Sequence, residues 1–187
     1  METNSLLIGI TGGFGSGKST AASFFESKGF KKIILSLFLE EEVKRRGFKK
    51  ITRKILQDIG NEWRKKYGSG ILAKKALEYL GEANKNIAID GIRNPGEIEV
   101  LRKNKNFILL GIVADRKVRF ERLKRLKRRE SLTWELFERL DRRDLGLRQK
   151  KTGLKVAESI AMADIFIENN GTLEEFIEKL NSSLSKL

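Results

Sequence analysis

The sequence predicts an α/β fold, a three-layer α/β/α sandwich around a parallel sheet, and three observations carry that prediction. Short runs rich in Ile, Leu and Val recur at residues 6–11, 32–36, 87–90, 107–114 and 165–168, separated by longer stretches with helical spacing. A glycine-rich turn joins the first run to the first helical stretch, and a later run ends in a carboxylate, Asp90. Continuous apolar strands alternating with helices are what a parallel sheet covered on both faces requires, since both sides of each strand are buried. A chain of 187 residues closes one core, and its single proline, Pro95, and lack of low-complexity sequence leave no linker. Residues 1–187 are therefore read as a single domain.

The first strand, residues 6–11, leads into Gly12-Gly13-Phe14-Gly15-Ser16-Gly17-Lys18-Ser19-Thr20, which satisfies the pattern G-x-x-x-x-G-K-[ST] ahead of a helix over 19–28. At a strand-to-helix turn, residues without Cβ let the backbone wrap a phosphate, and successive N–H groups plus the positive helix end point at the anion. Lys18 is expected to reach the β- and γ-phosphates, the Ser19 hydroxyl to ligate Mg²⁺, and Thr20 to contact the α-phosphate. After the second strand, residues 37–80 read as helices. The run Asn86-Ile87-Ala88-Ile89-Asp90-Gly91 places Asp90 at a strand end. In an open α/β sheet that position faces the ligand crevice, where Asp90 would hold the Mg²⁺ shell or accept the proton of an attacking hydroxyl. A solvated turn residue is the alternative reading. Arg93 follows at once and is placed to neutralise an acceptor phosphate.

Residues 116–129 are far more basic than their surroundings, with Arg119, Arg122 and Arg125 at helical spacing, then Arg128 and Arg129 before a bend near Ser131. Arginine forks match phosphate oxygens bidentately, so a basic lid over about 116–150 would close on the transferring phosphoryl group and exclude water. A nucleic-acid patch and a solvated helix face are the two other readings, and the scarcity of interleaved aromatics argues against a stacking platform for single strands. Gly171-Thr172 with Glu175 forms a capping box for a last amphipathic helix carrying Leu173, Phe176, Ile177, Leu180 and Leu184.

Composition bounds the chemistry. There is no cysteine and no histidine, which removes disulfides, thiolate nucleophiles, imidazole bases and Cys/His zinc sites. What remains is carboxylates, Lys, Arg, hydroxyls, backbone amides and a hard metal ion, the inventory of phosphoryl transfer. A net charge of +14 favours anionic partners, nucleotides first and nucleic acid second. The N-terminal residues lack the basic start and apolar stretch of a secretory signal, and no apolar run approaches a membrane span. A cytoplasmic protein without a membrane partner, monomeric or weakly homodimeric, is expected.

With these motifs in place, the chain resembles the P-loop kinase group of dephospho-CoA kinases and nucleoside monophosphate kinases, and looks closest to dephospho-CoA-kinase-like and deoxynucleotide-kinase-like proteins. Beyond the glycine-rich loop, the resemblance rests on Thr52-Arg53, Gly60-Asn61-Glu62-Trp63-Arg64, Asp90-Gly91-Ile92-Arg93-Asn94-Pro95-Gly96-Glu97, Arg119-Phe120-Glu121-Arg122 and Ala163-Asp164 through Asn169-Asn170-Gly171. It implies a five-stranded sheet of P-loop NTPase type in the order 2-3-1-4-5, with ATP as donor and Mg²⁺ as cofactor. It also implies adenine framed by Asn169 to Thr172 and stacked by Arg119 or Arg122, lid arginines Arg125 and Arg128 at the transferring group, and an acceptor held by Arg53, Arg64 and Arg93. The implied reaction is phosphoryl transfer to a nucleotide or nucleotide-like acceptor, with dephospho-CoA as the second choice. Two departures stand out. Leu35-Ser36-Leu37-Phe38 replaces the aspartate pair of dephospho-CoA kinases, and Phe38-Leu39-Glu40-Glu41-Glu42 replaces the Gly-Asp-x-x-Arg of monophosphate kinases. These leave open a nucleotide-binding regulator or nucleic-acid-associated ATPase that kept the donor site and lost the acceptor site.

Overall fold

The computed structural model describes residues 5–81, 85–126 and 132–186. Strand β1 (Leu7–Gly12) is followed by α1 (Lys18–Ser27), β2 (Lys31–Ile34), α2 (Leu35–Arg45), α3 (Arg53–Tyr67), α4 (Ile71–Leu80), β3 (Ile87–Ile92) and α5 (Pro95–Leu101). Then come β4 (Phe107–Val113), α6 (Arg116–Arg125), α7 (Trp134–Leu145), α8 (Val156–Ala161), β5 (Ile165–Glu168) and α9 (Leu173–Leu184). The five strands form one sheet in the order β2-β3-β1-β4-β5, every pairing parallel. This is the order implied by the resemblance.

Alternation along β1 explains why the strands read as unbroken apolar runs. Leu7 joins Ile89, Leu109 and the inner faces of α2 to α5 in one core, while Ile8 and Ile10 join Ala88, Leu110, Ile112 and the faces of α1 and α9 in the other. Successive residues of one strand thus serve opposite layers. On the second side Phe24, Phe25, Phe30 and Phe176 supply most of the volume, with Phe25 tilted against Phe30 at 5.3 Å between ring centroids.

Two boundaries differ from the sequence reading. The expected second strand at 32–36 ends at Ile34, and α2 begins at Leu35 with no intervening loop. Leu35, Leu39 and Val43 share one buried stripe, so helical packing against α3 and α4 overrides the apolar run. Glu40, Glu41 and Glu42 consequently lie inside the helix instead of at its start, and Glu42 is a buried acid clasped by Arg45 and Arg46. At the other boundary β3 runs on to Ile92. Its register with β1 slips between Ile10 and Thr11, with Gly91 at a positive φ of 94° absorbing the extra residue. Thr11 Oγ1 closes the irregularity by donating to the Ile92 carbonyl at 2.9 Å.

Among the described residues no helix is long and apolar enough to cross a membrane. Because Phe25 is fully buried between α1 and the sheet, Phe25→Ala is expected to cost about 3–5 kcal/mol, read as a lower urea midpoint with an unchanged m-value.

Candidate functional site

The crevice opens at the carboxyl ends of β1 and β3, where the loop between β1 and α1 turns on glycines that admit no side chain. At Gly12 a Cβ would sit 2.3 Å from the Ile112 carbonyl oxygen, and at Gly17, the left-handed residue that starts α1, 2.3 Å from Asn169 Nδ2. Lys18 opens α1 and folds back, donating from Nζ to the carbonyls of Gly12 and Gly13 at 2.8 Å each. Burial, and then the Arg93 charge, lower its pKa to about 7 against partial opposition from Asp90. An anion arriving in the loop would favour the charged ammonium. The Ser16 hydroxyl is buried in the same loop without a hydrogen-bond partner.

Ser19 Oγ donates to Asp90 Oδ2 at 3.1 Å, so the carboxylate, paired with Ile10 just before the register slip, stands beside the first turn of α1. These are two hard oxygens of the kind that hold Mg²⁺. Among the described residues no group of three or more His, Cys, Asp or Glu stands ready to bind a metal. A cation with the residues in place would thus be completed by nucleotide phosphates and water, which fits Mg²⁺ and its reluctance to shed water.

A cavity of about 540 Å³ stands over this loop, lined by Phe14 through Thr20, Asp90, Gly91, Arg53, Arg93, Arg122, Arg125 and several apolar residues of α6 and its C-terminal side. The volume is ample for a nucleotide-sized ligand. Lys18, Ser19 and Thr20 therefore share a single space with Arg53, Arg93, Arg122 and the exposed Arg125. Arg128 lies outside the described residues.

Three residues singled out from the sequence stand elsewhere. Arg119 is buried and does not line the cavity: it donates to the carbonyls of Ala114 and Phe14 and makes a two-pronged pair with Asp141. With those donors engaged it braces the glycine loop from outside. Asn169 likewise holds that loop, donating from Nδ2 to the Ser16 carbonyl at 2.9 Å and accepting from Arg122 on its own carbonyl at 2.7 Å. Arg64 is 1% exposed and reaches only a side chamber of about 20 Å³, where Nε and Nη2 donate to Glu97 Oε1 at 3.1 and 2.8 Å.

Two carboxylates that the sequence reading gave no place in the site, Glu97 and Asp144, set this geometry. Glu97 is fully buried: besides Arg64 it accepts the Arg93 and Asn94 backbone N–H groups at 2.7 and 3.2 Å, closing the capping box of α5. Asp144 pairs with Arg53 and Arg93 and accepts from Gln57 Nε2 at 2.9 Å. Burial opposes its ionised form, but the Arg53 and Arg93 charges outweigh that and hold its pKa at about 2. The available signal was spacing, since Asp141 and Asp144 fall on the same helical stripe as Phe137 and Leu140.

Parallel strands in the order 2-3-1-4-5 around a glycine loop that opens a helix make a three-layer sandwich of P-loop type. Solved structures bear out that fold. A shikimate kinase from Bacteroides thetaiotaomicron superposes with a TM-score of 0.59 at 17% identity, covering 97% of this chain and 99% of its own. A gluconokinase from Sinorhizobium meliloti gives 0.58 at 11% identity, with 100% and 94% covered. No protein-family profile matches the chain. Among curated relatives, a UPF0200 protein of Sulfurisphaera tokodaii is 34% identical over 182 residues, spanning 97% of each chain, and one of Methanocaldococcus jannaschii is 30% identical over 186 residues, spanning 97% of this chain and 90% of its own. The chain belongs to the UPF0200 family. It also matches a UPF0200/UPF0201 protein of Archaeoglobus fulgidus at 36% identity, where it spans 53% of the relative's length.

The depressed pKa of Asp144, about 2 against an ordinary 3.8, implies about 2 kcal/mol of stability that is fully present above about pH 5 and lost progressively as pH falls through the folded value near 2. Urea midpoints measured between pH 5 and 2 should fall in the wild type and fall less steeply in Asp144→Asn.

Proposed function

We propose that the protein is an ATP-dependent phosphotransferase acting on a nucleotide or nucleotide-like acceptor. The observation that carries the reading is convergence: Lys18, Ser19, Arg53, Arg93, Arg122 and Arg125 all line one cavity. Donor-binding and acceptor-binding groups that share one space can place an attacking oxygen in line with a transferring phosphoryl group.

In this reading the glycine loop binds the β- and γ-phosphates through backbone N–H groups, and Lys18 exchanges the Gly12 and Gly13 carbonyls for phosphate oxygens. Ser19 and Asp90 hold Mg²⁺, which when bound neutralises developing charge on the phosphates. Arg53 and Arg93 orient the acceptor's anionic group, and Arg125, exposed at the rim, approaches the transferring group as the cavity closes over it. The chain thereby excludes water by covering the loop with α6. A monophosphate acceptor suits these groups best because its attacking oxygen is already ionised. A hydroxyl acceptor such as dephospho-CoA would call on Asp90 as base, and Asp90 already accepts from Ser19.

The glutamates at 40–42, which stand where the resemblance expects an arginine, line neither cavity. The support for an acceptor wall comes instead from Arg53 and Arg93, on α3 and after β3.

The test is ADP release from Mg-ATP with a panel of nucleoside monophosphates, dephospho-CoA and no acceptor, with Lys18→Ala alongside. Turnover should depend on one acceptor class, and Lys18→Ala should lower kcat at least about 10²-fold while retaining the wild-type far-UV circular dichroism. Turnover that ignores every acceptor but rises with added RNA or DNA, and falls steeply with salt, would replace this reading with a nucleic-acid-associated ATPase.

A further inference from the structure

Helix α7 turns Phe137, Leu140, Asp141 and Asp144 inward, the i, i+3, i+4, i+7 stripe of a packed helix. Two acids on such a stripe are unusual, and each meets a cation of the site. Asp141 pairs with Arg119, whose Nη1 also donates to the Phe14 carbonyl in the glycine loop. Asp144 is fully buried and lines neither the main cavity nor the side chamber, yet both arginines that it contacts line both spaces. It stands behind them. Its carboxylate is ion-paired to Arg53 Nη2, lies 3.2 and 3.3 Å from Arg93 Nη1, and is steadied by Gln57 Nε2 at 2.9 Å.

From this arrangement we propose that Asp144 is a positioning residue, which holds Arg53 and Arg93 side by side at the cavity wall, where an anionic group of the acceptor would meet the two guanidinium groups. Two guanidinium groups this close repel one another, and a shared carboxylate offsets the repulsion. It also restrains two long side chains before any ligand arrives, which lowers the entropy cost of binding. Arg53 is fixed on its other face too, stacked 4.5 Å above the Phe14 ring, and Phe14 in turn lies against Phe137. Position along α7 therefore sets the glycine loop and the acceptor wall together. Because Asp144 does not line the cavity, an incoming anion need not displace it: the carboxylate supports the arginines and does not compete for the site. The use of these arginines toward an acceptor rests on the phosphotransferase reading, whereas their positioning by Asp144 does not.

Two readouts on the full chain separate those statements. Arginine side-chain Nη–Hη NMR signals, assigned through Arg53→Lys and Arg93→Lys, should be exchange-protected in the wild type and lose that protection in Asp144→Asn. Steady-state kinetics with the most active nucleoside monophosphate of the panel should show the acceptor KM raised about ten- to a hundredfold in Asp144→Asn, with the ATP KM within about twofold of wild type. Asp144→Glu keeps the charge and displaces it by one methylene, so its acceptor KM should rise less, about three- to tenfold. The proposal is overturned if both arginine signals keep their protection in Asp144→Asn, or if the ATP and acceptor KM values rise in parallel as a general loss of packing would make them. Should Asp144→Asn fail to fold, Asp144→Glu decides, and an unchanged acceptor KM with unchanged arginine signals overturns the proposal. A wild type with no acceptor-dependent turnover sinks the phosphotransferase reading alone, since the arginine signals still decide the positioning.

Discussion

The structure depends on holding several cations close together, partly out of water, at the carboxyl edge of the sheet. Lys18, Arg53, Arg64, Arg93 and Arg119 all gather there, and unbalanced they would repel one another and resist burial. Asp90, Glu97, Asp141 and Asp144 are the buried acids that offset them, each contributed by an element on a different side of the crevice or from a different turn of α7. Removing one partner of a buried pair leaves an uncompensated charge, which is why such pairs bind neighbouring elements into one geometry even where their net contribution to stability is small. The glycine loop is held the same way. Its outer side is braced by Arg119 on Asp141 and its inner end by Asn169.

From that balance follows a division of labour. The part of the crevice built by β1 and α1 is mostly backbone, presented by glycines and the first turn of α1. Arg53 and Arg93, by contrast, are side chains on α3 and after β3, the groups with which the proposed phosphotransferase would choose its acceptor. Structures with this fold bear names as different as shikimate kinase and gluconokinase, so the fold by itself does not select a substrate.

Much of the fold was legible because a parallel sheet buries both faces of its strands, leaving apolar runs that stand out against a chain with 34% charged residues. The glycine loop was legible for a different reason: its spacing is dictated by backbone geometry, which few other residues satisfy. The start of α2 was misjudged because Ile33, Ile34 and Leu35 form one apolar run, and only packing on α3 and α4 tells strand from helix. Arg119, Arg122 and Arg125 read alike in sequence yet face differently, since a single helix presents one to the core and the others to the cavity and its rim. Arg64 carried the same motif weight as Arg53 but is held back from the main cavity by Glu97, a partner 33 residues away.

By itself the sequence determined the layer architecture, the glycine loop with Lys18 and Ser19 at the start of α1, an acid near the end of β3, and an inventory of reactive groups without thiol or imidazole. Those features rest on local rules: hydrophobic period, backbone freedom at glycine and residue inventory. Only the tertiary structure decided which arginines line the cavity, that Asn169 and Arg119 hold the loop, and that Asp144 pairs with Arg53 and Arg93 while Glu97 pairs with Arg64. Charge pairing is set by distance in space, and a buried carboxylate in sequence looks the same as one on the surface.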